Sequence, residues 1–301
     1  MSKFFRHIFL FIFLLIAQFN VAQQFKFDII NHEKGLNSSK INKLYKDSRG
    51  LLWICGDGAG LFSYNGYEFK NYNKVNQHEN LFVADIIENE NKQLVLSSKY
   101  LGILFFEGNK FIKLTKLTDK KNTPHTNVSK FVKTKKGIYG FSTSNIYFID
   151  NENKVTNVKD LKKLSISKIT SAETINNELV LFGTEKGLFE YNFKNNTLKI
   201  LSNFKNEVTI CKGINSTILV ADLEGNIFEV LFNKSIIKAN KLLITIKSKS
   251  GEVFKITNIL QNLNENIWFT GTKETGIGIL YNTNKYTILD NKNGVPASNL
   301  I

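Results

Sequence analysis

The chain has 301 residues, 42% hydrophobic, 12% aromatic and 22% charged, with 25 Phe and 10 Tyr against two Pro and one Met. That is enough apolar chain to bury a core, which excludes a disulfide-stapled miniprotein, global disorder and collagen-like or Pro-rich classes, and the aromatic excess favours strands over helical bundles. The 40 Lys and Arg against 26 Asp and Glu leave +14; with these bases scattered and never in a run of five or six, they read as solubilising lysines first, a surface for an anionic ligand or envelope polymer second, and not as a nucleic-acid site.

In chain order, residues 1–22 read as a secretory signal peptide. Lys3 and Arg6 form the charged start, Ile8 to Ala17 the apolar run, and Ala22 precedes the cut at Gln23. The apolar run is half the roughly 20 residues a spanning helix needs, so cleavage is preferred to an uncleaved anchor. No Cys near the cut offers a lipid attachment point.

From residue 23 the pattern is one of short strands. Ile41 to Lys46 is followed by the polar turn Asp47 to Gly50, the strand Leu52 to Cys55, a glycine loop, the strand Gly60 to Tyr64, then Asn65-Gly66 and the strand Tyr67 to Tyr72. Asn-Gly between two apolar runs is a strong hairpin signal, because both residues tolerate positive φ. The unit recurs. DSRGLLWICGDGAGLFSYNGYEF from Asp47 returns 42 residues later as NENKQLVLSSKYLGILFFEGNKF from Asn89, and further copies start at Gly137, Asn176, Ser216 and Asn264. Trp268 lies 215 residues, five steps of 43, after Trp53. Four antiparallel strands in about 43 residues make a propeller blade, and no blade can bury both faces alone. The expected fold is therefore all-β: a β-propeller of four-stranded antiparallel blades.

The two cysteines, Cys55 and Cys211, sit in strand-like runs outside any C-x-x-C or His/Cys cluster. They read as small buried hydrophobes ahead of a long-range bridge or a metal site. The four histidines (His7, His32, His78, His125) fall in the leader or in polar stretches, and no nucleophile-elbow, zincin or P-loop spacing occurs. The expectation is no catalytic residue, no metal and no cofactor. Asp47 should satisfy backbone N–H groups of its own turn, and Trp53 and Trp268 should pack between blades.

These residues resemble the two-component regulator propeller repeat. The first unit carries Gly35-Leu36-Asn37-Ser38, Asp47, Gly50, Leu52-Trp53-Ile54, Gly60-Leu61, Tyr64-Asn65-Gly66 and Phe69, and the sixth carries Ile267-Trp268-Phe269, Gly271-Thr272 and Tyr281-Asn282. Units three and five match faintly, lacking the Trp and the Asp turn. The resemblance implies a periplasmic sensor that precedes a three-Tyr domain, a membrane helix and a histidine kinase or DNA-binding output, in an inner-membrane protein. Asn293 to Leu300 repeats the grammar of Lys34 to Lys40, and Phe25 to Ile29 matches an outermost strand. Residues 23–301 are accordingly expected to hold six blades of seven, an incomplete ring in which Phe25 to Ile29 is the fourth strand of the closing blade.

Strand alternation puts the loops leading into first strands and the second-to-third-strand loops on one face of the propeller. The candidate ligand residues there are Asn37, Ser38, Ser39, Asp57, Lys99, Tyr100, Glu185, Lys186, Lys273 and Glu274. They offer hydrogen bonds and mixed charge to a polar ligand such as an oligosaccharide. The expected function is a non-enzymatic sensing propeller of a two-component signal transduction protein. A poly- or oligosaccharide would bridge several blades or join two subunits of a homodimer. An exported lyase or glycosidase, or a protein-binding scaffold, are the rival readings.

Overall fold

The computed structural model describes residues 27–38, 40–72, 81–113, 127–214, 217–233, 236–272, 276–282, 285–289 and 295. The leader expected over 1–22 lies outside these residues. Blade one consists of β1 (Ile41–Lys46), β2 (Leu52–Gly56), β3 (Gly60–Tyr64) and β4 (Phe69–Asn71). Blade two holds β5 (Val83–Glu88), β6 (Leu94–Ser98), β7 (Gly102–Glu107) and β8 (Lys110–Lys113). Blade three holds β9 (Lys130–Thr134), β10 (Gly137–Phe141), β11 (Asn145–Ile149) and β12 (Val155–Asp160). Blade four holds β13 (Ile169–Thr174), β14 (Leu179–Thr184), β15 (Gly187–Asn192) and β16 (Thr197–Leu201). Blade five holds β17 (Val208–Lys212), β18 (Ile218–Asp222), β19 (Asn226–Asn233) and β20 (Ile236–Thr245), and blade six β21 (Ile256–Gln261), β22 (Ile267–Gly271), β23 (Ile277–Asn282) and β24 (Lys285–Leu289). Each blade is a sheet in sequence order, antiparallel throughout. Among the described residues helix is confined to short 3-10 turns such as His32–Lys34 and Lys162–Leu164. Among the described residues no helix is long and apolar enough to cross a membrane.

The hairpin chemistry is local. Asn65 Oδ1 accepts the N–H groups of Tyr67 and Glu68, while Gly66 takes φ +99 with open space around it. Gly187, φ +113, is different, because a Cβ there would meet the carbonyl oxygen of Phe204. Asp47 caps its own turn as expected, accepting from the backbone of Arg49 at 2.9 Å and of Leu51 at 3.0 Å. Its second oxygen accepts from Trp53 Nε1 at 2.9 Å, which ties the turn to the core. Asn89 and Asn262 cap the corresponding turns of blades two and six. In blade three, where sequence similarity is faint, a two-residue turn replaces this motif and Thr134 Oγ1 donates to the Gly137 carbonyl.

Apolar side chains alternate on each strand and pack between blades. Trp53, Leu61 and Tyr72 of blade one lie against Leu94, Leu104 and Phe106 of blade two, with Trp53 edge-on to Phe106 at 5.5 Å. Similar clusters join blades two to three, three to four, four to five and five to six. Both cysteines are buried free thiols within such clusters.

The innermost strands pack in series, β1 on β5, β5 on β9, β9 on β13, β13 on β17 and β17 on β21, and no comparable packing joins β21 to β1. The two flanks carry their own apolar clusters: Leu36, Ile54 and Phe62 on blade one, and Ile279, Leu289 and Val295 with Trp268 on blade six. Leu44 of β1 is 57% exposed, whereas Ile86, at the same place in β5, is 1% exposed because blade one covers it. Leu260 of β21 is 62% exposed on the opposite flank. Trp268 thus faces this flank instead of a following blade, in contrast to Trp53. Of the segment expected as an outermost strand, Phe25 to Ile29, the described residues 27–29 pair with no strand, and Phe27 packs against the blade-six flank. An outermost strand exists only through ladder bonds to a third strand, and none of the described strands lies there to supply them.

Candidate functional site

The loops leading into first strands and the second-to-third-strand loops do share one face, because hydrogen bonds join them within the blades. Asp57 N–H donates to the Lys40 carbonyl, and Lys40 Nζ pairs with Asp57 Oδ2 at 2.6 Å. Lys99 N–H donates to the Phe82 carbonyl, and Thr272 N–H to that of Lys255. The Glu185 carboxylate accepts from the backbone of Ser167 at 2.7 Å and of Lys168 at 2.9 Å. Burial alone would raise the Glu185 carboxyl, but these bonds outweigh it and hold it below the usual range.

The candidate residues fall into two groups separated by blade three. In the first, Tyr100 stands edge-on to Phe82 at 5.1 Å, with Lys99 Nζ 5.5 Å from its ring centre and Gly58 against Phe82. Asp57 belongs to the same region through Gly58, and Tyr100 leaves more than half its surface in solvent. In the second, Lys186 Nζ donates to the Leu164 carbonyl, and the neighbouring Lys168 pairs with Glu207. Ser38 Oγ donates to the Lys40 carbonyl, and Asn37 is exposed beside it. Ser39, Lys273 and Glu274 lie outside the described residues. Asp57, Glu185, Lys186 and Ser38 thus hold their own loops together, while Lys99 and Tyr100 present an aromatic and cationic surface.

A second region lies deeper along the axis, in innermost-strand residues not named from the sequence. The six innermost strands surround a channel of about 470 Å³. A β-bulge recurs in β1, β5, β13 and β21, between Ile41 and Lys43, Val83 and Asp85, Ile169 and Ser171, and Ile256 and Asn258. Adjacent innermost strands belong to different sheets, so side chains bridge them. Asn42 Nδ2 donates to the Val83 carbonyl at 2.9 Å, Asp85 Oδ2 accepts from Phe131 N–H at 2.6 Å, and Ser171 Oγ accepts from Ile210 N–H at 2.8 Å. The extra residue in each bulge re-aims its strand so that these groups turn to the neighbour and the channel.

Among these bridges sit titratable groups. Asp85 is buried, with Lys43 Nζ 3.7 Å from its Oδ1. Burial lowers the Lys130 ammonium, which the Asp85 charge partly offsets. Burial raises the Glu173 carboxyl against the opposing charges of Lys43 and Lys212. Cys211, also on the wall, is pushed up to about 12 by burial first and by Glu173 second. Lys43 and Asp85 are 42 residues apart, so the available signal was charge at one repeat position inside strand-like runs. Among the described residues there is no group of three or more His, Cys, Asp or Glu able to hold a metal ion.

No family model and no curated protein matches the sequence. Solved structures do match. The extracellular domain of BT3049, a hybrid two component system from B. thetaiotaomicron, aligns with a TM-score of 0.65 at 17% identity, covering 84% of this chain and 35% of that one. Virginiamycin B lyase from Staphylococcus aureus, in a catalytically inactive form with quinupristin, aligns with a TM-score of 0.64 at 15% identity over 84% of this chain and 85% of that one. PorZ of Porphyromonas gingivalis, a surface component of the type-IX secretion system, gives 0.56 at 16% identity over 83% and 33%. The chain spans about a third of the length of the BT3049 domain. At such identities these alignments show a shared propeller fold.

Proposed function

We propose that this chain is the exported, non-enzymatic ligand-sensing propeller of a two-component signal transduction protein, working in the periplasm and responding to a poly- or oligosaccharide. The observation that carries the reading is the agreement between the repeat resemblance and the fold shared with the extracellular domain of BT3049. A seventh blade over the flanks of Leu44 and Leu260 completes the ring in this reading. The ligand engages the loop face around Lys99 and Tyr100, where an aromatic plane beside a cation suits a sugar ring and its polar edge. Signalling follows from differential binding, since a ligand held by loops of several blades favours one arrangement of them over another.

The test is a thermal-shift screen of the full chain against neutral and acidic oligosaccharides. Ligand at a hundredfold excess over its Kd stabilises by about 2.7 kcal/mol, enough for a shift of several degrees. Tyr100→Ala should abolish the shift while leaving the ligand-free melt within about a degree. A screen with no shift for any saccharide would overturn the ligand assignment. The lyase alignment favours a second reading, an exported lyase, and ultraviolet-absorbing unsaturated product appearing with a shifted saccharide would establish it instead.

A further inference from the structure

The axial channel holds an arrangement that inter-blade packing does not use up. Asp85 is 1% exposed and lines the channel wall. One carboxylate oxygen is committed to Phe131 N–H, while the other, Oδ1, accepts no hydrogen bond among the described residues. Lys43 stands 3.7 Å from it, beyond hydrogen-bond reach. A buried carboxylate oxygen left with an unused acceptor is costly, and it points to a donor brought from outside.

The surroundings select what carries that donor. Lys43 and Lys130 line the same channel and both interact with Asp85, so at that point of the wall two ammonium groups stand about one carboxylate, with Glu173 as the second carboxylate of the lining. A metal cation or a polyamine would meet this excess of like charge. A neutral sugar would satisfy Asp85 Oδ1 but would leave Lys43 and Lys130 sharing that one carboxylate. A volume of about 470 Å³ lies within the range of small-molecule sites.

We propose that the channel binds a small hydroxy-carboxylate of sugar-acid type, whose hydroxyl donates to Asp85 Oδ1 and whose carboxylate is held by Lys43 and Lys130. The inference takes its purpose from the sensor reading but its chemistry from the channel alone. It places an acidic ligand at the axis, where side chains bridge β1 to β5, β5 to β9 and β13 to β17, so that occupancy acts on several blade contacts together.

Titration calorimetry of the full chain at low ionic strength tests it, with D-glucuronate, D-glucose and D-glucosamine as probes. Glucuronate should bind, and the neutral and cationic sugars at least tenfold more weakly. Lys43→Met and Lys130→Met should each weaken glucuronate at least tenfold, and Lys199→Met, on exposed β16, should not change it. Because Asp85 also brackets blade three, Asp85→Asn is read only beside its melting curve, and Lys43→Met, on a partly exposed lysine, carries the decision. Absent glucuronate binding, equal binding of all three sugars, or binding unaffected by Lys43→Met would each overturn the proposal. Oligosaccharides that stabilise the wild type and Lys43→Met alike, with no glucuronate binding to the wild type, would overturn it while leaving the sensor reading intact. Glucuronate bound as expected in a protein without signalling output would do the reverse.

Discussion

Replacing Asp47 by Asn separates the part of its turn that needs one acceptor oxygen from the part that needs a carboxylate. Asn262 holds the corresponding turn of blade six with a single oxygen, accepting from Asn264 and Asn266. Asn at 47 should therefore keep the bonds from Arg49 and Leu51 and lose those made by Oδ2, from Trp53 Nε1 at 2.9 Å and from the Arg49 guanidinium at 2.7 Å. The Arg49 side chain is largely in solvent, so its loss is worth under about 1 kcal/mol. The Trp53 donor is buried and would face an amide N–H, at a cost of about 1–3 kcal/mol. Together about 1–4 kcal/mol corresponds to a drop in Tm of about 2–16 °C at this size. Burial by itself would raise the Asp47 carboxyl, but the bonds from Trp53, Arg49 and Leu51 outweigh it and hold the folded-state pKa below its ordinary value. Its stabilisation is then complete above the unfolded pKa of about 4 and is lost as pH falls through the folded one. Calorimetric melts of wild type and D47N should differ by a constant amount from pH 7 to about 5 and converge on further acidification. A difference below about 1 °C at pH 7, or one that widens in acid, would refute this account.

Register-equivalent truncations should report the open flank: Ile86→Ala should cost about 2–5 kcal/mol in urea unfolding, and Leu44→Ala under about 1, because only Ile86 is covered by a neighbouring blade. Equal costs would mean that blade one is covered as well. Burial raises both thiols, Cys211 to about 12 and Cys55 well above its ordinary value, so neither should react with a disulfide reagent at pH 8 on a timescale of minutes in the native protein, and both should react in guanidinium. Rapid reaction of either one in native buffer would contradict its burial.

Blade three shows how far the repeat pattern could be followed. It lacks the Trp and the Asp turn, yet four strands form, because Ile138, Tyr147 and Ile149 alternate correctly to meet Phe105 of blade two. The pattern that matters there is period-two burial against a neighbour, which a motif comparison records only weakly. The loop face was legible for a related reason: direction reverses at every hairpin, so counting strands is enough to say which loops share a side. What each loop side chain does was not legible. Glu185 caps the lead-in to its own blade, an assignment that depends on the distance between two backbone segments 17 and 18 residues away along the chain.

Local chemistry determined the rest of what could be read in advance: Asn65-Gly66 makes its turn, Asp47 caps its own, and the spacing near 42 residues repeats the unit six times. Those features depend on a few neighbouring residues. Tertiary structure alone decided that Lys43, Asp85, Lys130 and Glu173, drawn from four blades, surround one channel, and that Leu44 is exposed where Ile86 is buried. Both outcomes arise from the rotation of one blade relative to the next, and the bulges in β1, β5, β13 and β21 add a one-residue shift in those strands. Neither is encoded in any single repeat, because each is a property of how the sheets pack around their axis.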